Sequence, residues 1–438
     1  MNKSLYIVAF SLAFATTGIA QNNEGQDKVI DLGTQTTTEL RKTQAVSTIY
    51  SDELDKNATT SPYNAIYGLL PGLSVMQNTS WGTDKSRLNV RGRGSLNGDT
   101  PLFVVDGFAR PLEYINLSEI ESISVLKDGA ATALWGGRGA NGVVLITTKR
   151  GIYSQKDIKV DYKFGLGFPV NQPEFADAYT YAKARNEALR YDGLQPDMDE
   201  ASFLSGGNSD LYPNVDWQKE ALRNHTTSHQ LDITFRGGGK RLRYFSVLNY
   251  KNDMGLLNSK YTDYTDRYNS QMKKYFLNLR MNLDVDITDA TKLKLSMLGM
   301  LRESKRPTTS EATLFEQIFN TPSAAFPVQT KNGFWGSNNV LKTNPIANLA
   351  DVGYYKLNQR MLQADLRLVQ DLSVLTRGLS AELAIAYDNN ATYQETAKKS
   401  FMYQTIEKGT DGEPIYTNYG NPNDELEISN KGLANQYI

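Results

Sequence analysis

One short segment constrains the fold of this chain more than any other. Between residues 277 and 287, Leu277, Leu279, Met281, Leu283, Val285 and Ile287 alternate with Asn278, Arg280, Asn282, Asp284 and Asp286. A period of two, with one oily and one wet edge, is a β-strand whose faces meet different surroundings. A soluble sandwich strand alternates in the same way, so this segment leaves both a sandwich and a membrane barrel open. Similar segments follow the pattern at 159–168, 230–236, 241–250, 293–301, 361–370 and 379–388. Each is near the roughly 9–11 residues that a tilted strand needs to cross a bilayer. The segment at 241–250 is mixed on both faces.

The connections separate the two architectures better than the strands do. From the first strand onward they run long (169–229), short (237–240), long (251–276), short (288–292), long (302–360) and short (371–378). Outer-membrane barrels alternate tight periplasmic turns with extended outer loops, and a sandwich has no reason to keep that parity. A strand leaving a periplasmic domain near Gly151 runs outward and meets a long loop first, as it does here. Seven strands are expected on this count, with 389–438 an outer segment that has no clear return strand. An odd, open set leaves edges that lipid cannot satisfy, which predicts an incomplete wall.

The N-terminal end reads as an export signal over 1–20. Lys3 precedes an apolar run at 5–15, and Gly18 and Ala20 suit cleavage after Ala20. A membrane anchor would need about 20 apolar residues, and this run is shorter. No later apolar run is long enough for a spanning helix. Residues 21–45 form a polar leader, interrupted by Lys28, Val29, Ile30, Asp31, Leu32 and Gly33. That patch is either chance apolar content in a linker or a peptide suited to adding to a partner's sheet edge. Residues 46–151 read as one small α+β domain, with helical stretches near 63–70 and 119–126 and strands at 87–90, 102–106 and 143–148. Residues 152–438 form the wall.

Composition removes whole classes of chemistry. With 47 basic and 48 acidic side chains, no net field draws the chain to nucleic acid. It has no Cys, hence no thiolate nucleophile or Cys-based metal site. His225 and His229 share the spacing of a helical metal pair, but they lack a neighbouring zinc-protease Glu and lie by a strand. Asp106, Glu121 and Asp128 make no convincing catalytic set. No catalytic residue, cofactor site or metal site is predicted.

The most specific residues lie between 87 and 151: Arg91, Gly92, Arg93 and Gly94, then Asp106 and Gly107, then Lys127, Asp128 and Gly129, then Arg138, Gly139, Asn141 and Gly142. The glycines permit tight turns and positive φ. The arginines are permanent cations able to hold carboxylates of a polar lumen wall. Asp106-Gly107 reads as a hairpin turn. Gly137, Gly139 and Gly142 fit a dinucleotide fingerprint, but a strand follows them where a helix is required.

This block closely resembles the plug of the SusC/RagA family of TonB-linked outer-membrane transporters. The resemblance implies an α+β plug domain followed by part of an antiparallel transmembrane β-barrel of about twenty-two strands. It further implies a cell outer membrane location, energy from a TonB-ExbB-ExbD complex acting on a TonB box at residues 28–33, and a SusD-like lipoprotein lid. The implied substrate is an oligosaccharide, or less often a peptide. A siderophore or cobalamin receptor of the same architecture, and a truncated surface protein that does not transport, are the alternatives. Trp217, Phe334, Trp335, Tyr354 and Tyr355 could stack on sugar rings, and packing within the long loops is the other reading of the same residues.

Overall fold

Nine strands form one sheet, of which eight are wall strands met in chain order: Lys156–Gly167, Thr226–Gly238, Leu242–Met254, Lys273–Asp286, Thr291–Pro307, Gly353–Asp371, Ser380–Lys398 and Glu427–Tyr437. The two-residue strand Phe10–Ser11 pairs with the first of them. The computed structural model describes residues 10–11, 29–32, 36–38, 41–54, 56, 59, 61–77, 86–95, 98–170, 172–421 and 425–437. Most of the export signal, including Ala20, lies outside the described residues, as do Lys28 and Gly33.

Neighbouring wall strands are antiparallel throughout, and the sheet does not close on itself among the described residues. The eighth wall strand corrects the expectation of no return after 388. Glu427–Tyr437 pairs with Ser380–Lys398 from Asp388↔Tyr437 to Lys398↔Glu427. Its sequence carries Asn430, Lys431, Gly432 and Asn435 without a regular oily stripe, so alternation could not reveal it.

Burial inverts between the two faces of the wall. On Lys273–Asp286, Asn278, Arg280 and Asn282 are buried, whereas Leu277, Leu279 and Met281 are exposed. Leu362 and Leu366, Leu383 and Ile385, and Ile158 and Val160 repeat the outward oily pattern on other strands. A sheet that exposes its apolar face and buries its polar one suits hydrocarbon outside and a polar filling inside. The mixed pattern at 241–250 has a packing cause. Phe245 and Val247 face inward and are buried under the filling, while Leu242, Leu248 and Tyr250 face outward.

That filling is a separate five-stranded sheet, in the order Val46–Tyr50, Ile120–Leu126, Val143–Thr148, Leu102–Val105, Phe108–Ala109. Val143–Thr148 runs parallel to Leu102–Val105 and antiparallel to Ile120–Leu126. Val144 and Ile146 face one core with Ile49, Val125, Leu112 and Leu117, while Val143 and Leu145 face a second with Val46, Leu126 and Val104. Burial on both faces explains the unbroken apolar run Val143-Val144-Leu145-Ile146. The helix expected at 119–126 is a strand instead. Ile120, Ile123 and Val125 are β-branched and fully buried in the sheet's interior, where packing decides the conformation.

The outer loops have a core of their own. Trp217, Leu314, Ile318, Phe326, Trp335, Ile346 and Leu349 pack together, drawn from the connection between the first and second wall strands and from that between the fifth and sixth. Short helices Trp217–Ala221, Glu311–Asn320 and Pro345–Ala350 carry most of them. The last two are capped by Ser310 and Asn344, whose side chains accept backbone N–H groups.

The outward face gives a direct test. Leu279→Arg is expected to lower the stability of the membrane-inserted protein by about 2–4 kcal/mol if it sits near the bilayer midplane. Urea unfolding in lipid vesicles reads this, and an unchanged midpoint would place Leu279 away from lipid.

Candidate functional site: the plug–wall interface

The two sheets meet through polar side chains in tiers, each tier lying two residues further along the strands. In one tier Asn249 donates to Ser118 Oγ (2.7 Å), and Asn278 donates to Glu119 Oε1 (2.6 Å). The next holds Arg280, whose Nε lies 2.5 Å from Glu119 Oε2, with the two side chains 2% and 0% exposed. Asn282 follows, donating to the Lys149 carbonyl (2.7 Å) and Thr148 Oγ1 (3.0 Å). Asp284 then receives Arg150 (3.2 Å) and Arg243 (3.0 Å). The register Asn249↔Asn278 makes the first tier a row across neighbouring strands.

A second anchor lies on the other side of the filling sheet. Arg110 donates from Nη1 and Nη2 to both carboxylate oxygens of Asp365 (2.6 and 2.5 Å), and from Nε and Nη2 to Asp388 (3.1 and 2.5 Å). Two parallel N–H···O bonds to one carboxylate fix orientation as well as distance. Burial works against the Arg110 charge, but the bonds to Asp365 and Asp388 outweigh it and raise its pKa. Nearby, Arg367 donates to the Asp106 carbonyl (2.6 Å). Burial pushes the Glu119 carboxyl above its ordinary range, and Arg280 and Asn278 pull it some of the way back.

Not every buried group in the interface is paired. Arg280 Nη2 and the Oδ1 atoms of Asn249, Asn278 and Asn282 are buried without a hydrogen-bond partner among the described residues. Each such atom carries a desolvation penalty, so the interface is specific in its charges but far from maximally tight.

Comparison with known proteins follows this geometry. Residues 38–143 match the model of the TonB-dependent Receptor Plug Domain. The TonB-dependent receptor SusC of Bacteroides thetaiotaomicron is 30% identical over 283 residues, covering 61% of this chain and 26% of SusC. TonB-dependent receptor P26 of Formosa agariphila is 28% identical over 281 residues, 62% of this chain and 26% of its own. The RagAB peptide importer in its closed-closed state superposes with a TM-score of 0.67 at 16% identity, over 90% of this chain and 52% of that one. Residues 38–143 thus carry a TonB-dependent receptor plug domain, and the sheet that follows is similar in fold to the wall of RagAB. The chain spans about a quarter of the length of the curated relatives it matches.

In this TonB-dependent receptor plug domain the glycine-rich motifs are structural devices. Asp106 and Gly107, with φ of 47° and 90°, form the two-residue turn between Leu102–Val105 and Phe108–Ala109. Gly142, at φ 90°, abuts Val90, and an added Cβ would come within 2.7 Å of it. Asp128 caps the Gly129–Thr132 turn by accepting Ala131 N–H, and accepts Ala45 N–H as well (both 2.8 Å). Those backbone donors, Ala45 first, hold its carboxyl below the usual range. Lys127 donates to Ser47 Oγ (2.5 Å) and the Pro71 carbonyl (3.0 Å), and Asn141 to the Gly98 carbonyl (3.2 Å). A Cβ added at Gly139 would lie 3.0 Å from Trp135 Cβ, a tight contact that its neighbours would have to yield to.

Among the described residues, none of the arginines expected to hold the wall is paired with a wall carboxylate. Arg93 faces Asp99 within the plug at 3.6 Å, and Arg91 and Arg138 are exposed. Arg91, Gly92 and Gly94 lie just beyond the strand Arg87–Val90, on a face the eight wall strands leave uncovered. The wall contacts fall instead to Arg110, Glu119 and Arg150, which motif reading passed over. Their partners are separated by up to 278 residues in sequence. The only prior signal was the inward polar stripe of the wall strands.

The aromatic candidates divide. Trp217 and Trp335 are each 3% exposed, with Nε1 donating to the Pro322 carbonyl (3.0 Å) and to Asp351 (3.1 Å). Their faces are used up in the loop core, so they cannot stack on a ligand. Phe334, Tyr354 and Tyr355 are half-buried. Lys305 lies over the Tyr354 ring and Arg306 over that of Tyr355. In the leader, Ile30 and Leu32 are buried against Val46, Val104, Leu126, Val143 and Leu145, and Val29–Asp31 pairs with Thr36–Thr38.

Removing one partner of a buried ion pair costs about 3–5 kcal/mol, because the other charge is stranded in low dielectric. Arg280→Met is expected to destabilise plug docking on that order, read as faster hydrogen exchange across Ile120–Leu126. Since the folded-state pKa of Glu119 is raised, its contribution is complete below about pH 4.3, the unfolded value. It is lost as pH rises through the folded value. Glu119→Gln should flatten that dependence, and a pH slope identical to the wild type would refute the assignment.

Proposed function

We propose that this chain forms the plug and a section of the barrel of an energy-coupled importer in the cell outer membrane. The reading rests chiefly on a plug seated in the wall by charge pairs and amides instead of an oily interface. Such a seat holds shut at rest and can be broken in steps, because each tier carries only a few bonds. Family likeness to SusC and fold likeness to RagAB support the same assignment.

In this reading the leader residues Lys28, Val29, Ile30, Asp31, Leu32 and Gly33 are the site gripped by a TonB-ExbB-ExbD complex. Ile30 and Leu32, buried on the plug, link that grip to the plug core. The cargo is an oligosaccharide, with a peptide as the second choice because the RagAB neighbour is a peptide importer. A SusD-like lipoprotein closes the outer mouth above the loop core. No bond chemistry is assigned to the chain.

Uptake by cells carrying the complete receptor tests this. Ile30→Pro removes a donor from the leader hairpin and bars strand addition. Uptake of labelled oligosaccharide mixtures is expected to fall to the level of a deletion strain, with surface binding retained. Normal uptake in that variant would sink the leader assignment. Loss of surface binding along with uptake would point to misassembly instead.

A further inference from the structure

The outer loops enclose a cavity of about 160 Å³ that the plug and wall do not explain. Asp210, Tyr212, Phe326, Ser337, Ile406 and Lys408 are among its lining. They come from the segment before the Trp217–Ala221 helix, the stretch after Glu311–Asn320, and the small sheet of Trp335–Ser337, Met402–Lys408 and Pro414–Gly420.

Two buried polar side chains line it, and one of them is left unpaired. Ser337 is 1% exposed, and its Oγ has no hydrogen-bond partner among the described residues. Asp210 is 4% exposed, and its Oδ2 accepts Lys331 N–H (3.0 Å) and Tyr416 O–H (2.6 Å). A buried hydroxyl with no partner loses free energy on folding, and its retention calls for something that completes it. At the edge, Lys408 Nζ lies 2.8 Å from Tyr212 Oη and 3.8 Å from Asp199 Oδ2.

The set of groups narrows the ligand. Asp210 can only accept, Lys408 can only donate, and Ser337 can do both. A simple cation entering the cavity is repelled by Lys408, and a simple anion by Asp210. A neutral ring bearing several hydroxyls meets neither repulsion, because each hydroxyl both donates and accepts. Ile406, half-buried at the rim of the loop core, offers its C–H face an apolar contact. The volume suits one ring and not a chain of them. We propose that this cavity is a subsite for a single neutral pyranose unit on the outer loops. The choice of a sugar rests on the importer reading above, and the pocket chemistry stands apart from it.

The complete receptor in detergent, titrated with methyl pyranosides of glucose, galactose, mannose and xylose, tests the proposal by saturation-transfer NMR and calorimetry. At least one pyranoside is expected to bind. Ser337→Ala and Asp210→Asn should each weaken that binding about tenfold, the loss of one or two hydrogen bonds. Ser337→Ala should leave the thermal midpoint unchanged or raised, since the hydroxyl it removes is unpaired. The proposal is overturned if no pyranoside binds, if both variants bind as the wild type does, or if Ser337→Ala melts earlier and so shows a structural hydroxyl. Free alanine displacing the sugar would overturn it too, by marking a zwitterion site. Cell uptake reads the importer assignment separately. A receptor that imports but binds no pyranoside here keeps that assignment and loses this one, and a receptor that binds without importing does the reverse.

Discussion

Hydrocarbon offers a backbone no hydrogen-bond partner, and most of this structure follows from that. Every N–H and C=O at membrane depth must be paired between strands, so the wall is a continuous antiparallel ladder with its oily side chains turned outward. Polar residues then have only the inner face left to them. Asn278, Arg280, Asn282, Asp284 and Asp365 therefore line the interior, and whatever fills that interior must answer them in kind. The plug does so with Ser118, Glu119, Arg110 and Arg150 on its surface, keeping its aliphatic residues for two cores of its own.

Besides Phe245 and Val247, the inner face contains an apolar island that tests this logic. Met300 and Met361 are paired in register and buried under Tyr114 of the plug, beside Phe276. The Tyr114 phenol still reaches a polar group, accepting from Asn390 Nδ2 (3.3 Å) on the next strand. Flexible methionines accommodate the ring without demanding a rigid fit. The contact supplies area where the charge pairs supply direction.

Much of this was legible in the sequence, and the reasons for the rest are physical. The alternation at 277–287 assigned both faces of its strand correctly, because hydrocarbon and plug select opposite side chains. Asp106-Gly107 was readable because few residues tolerate positive φ at both turn positions. The strand Ile120–Leu126 was misread as helix, since a segment buried on both sides carries no periodic signal. Glu427–Tyr437 was missed for want of a regular oily stripe. Arg110 and Glu119 were invisible as anchors, because an ion pair joining residues so far apart depends on a three-dimensional register. Trp217 and Trp335 could be read as stacking faces or as loop packing, and their burial in the loop core decides for packing.

The plug strand nearest the leader, Val46–Tyr50, stands at the edge of its sheet and is bonded along one side only, through five residue pairs with Ile120–Leu126. Just before it, Ala45 donates to Asp128 and accepts from the Lys127 backbone. A tug arriving along the leader thus loads this strand at one end, and its bonds open in succession, like a zip, instead of resisting together in shear. A mechanically weak seam thus leads from the leader into the five-stranded sheet. The central strands, bonded on both sides, are left as the stiffer remainder that can re-template the edge once the tension is released.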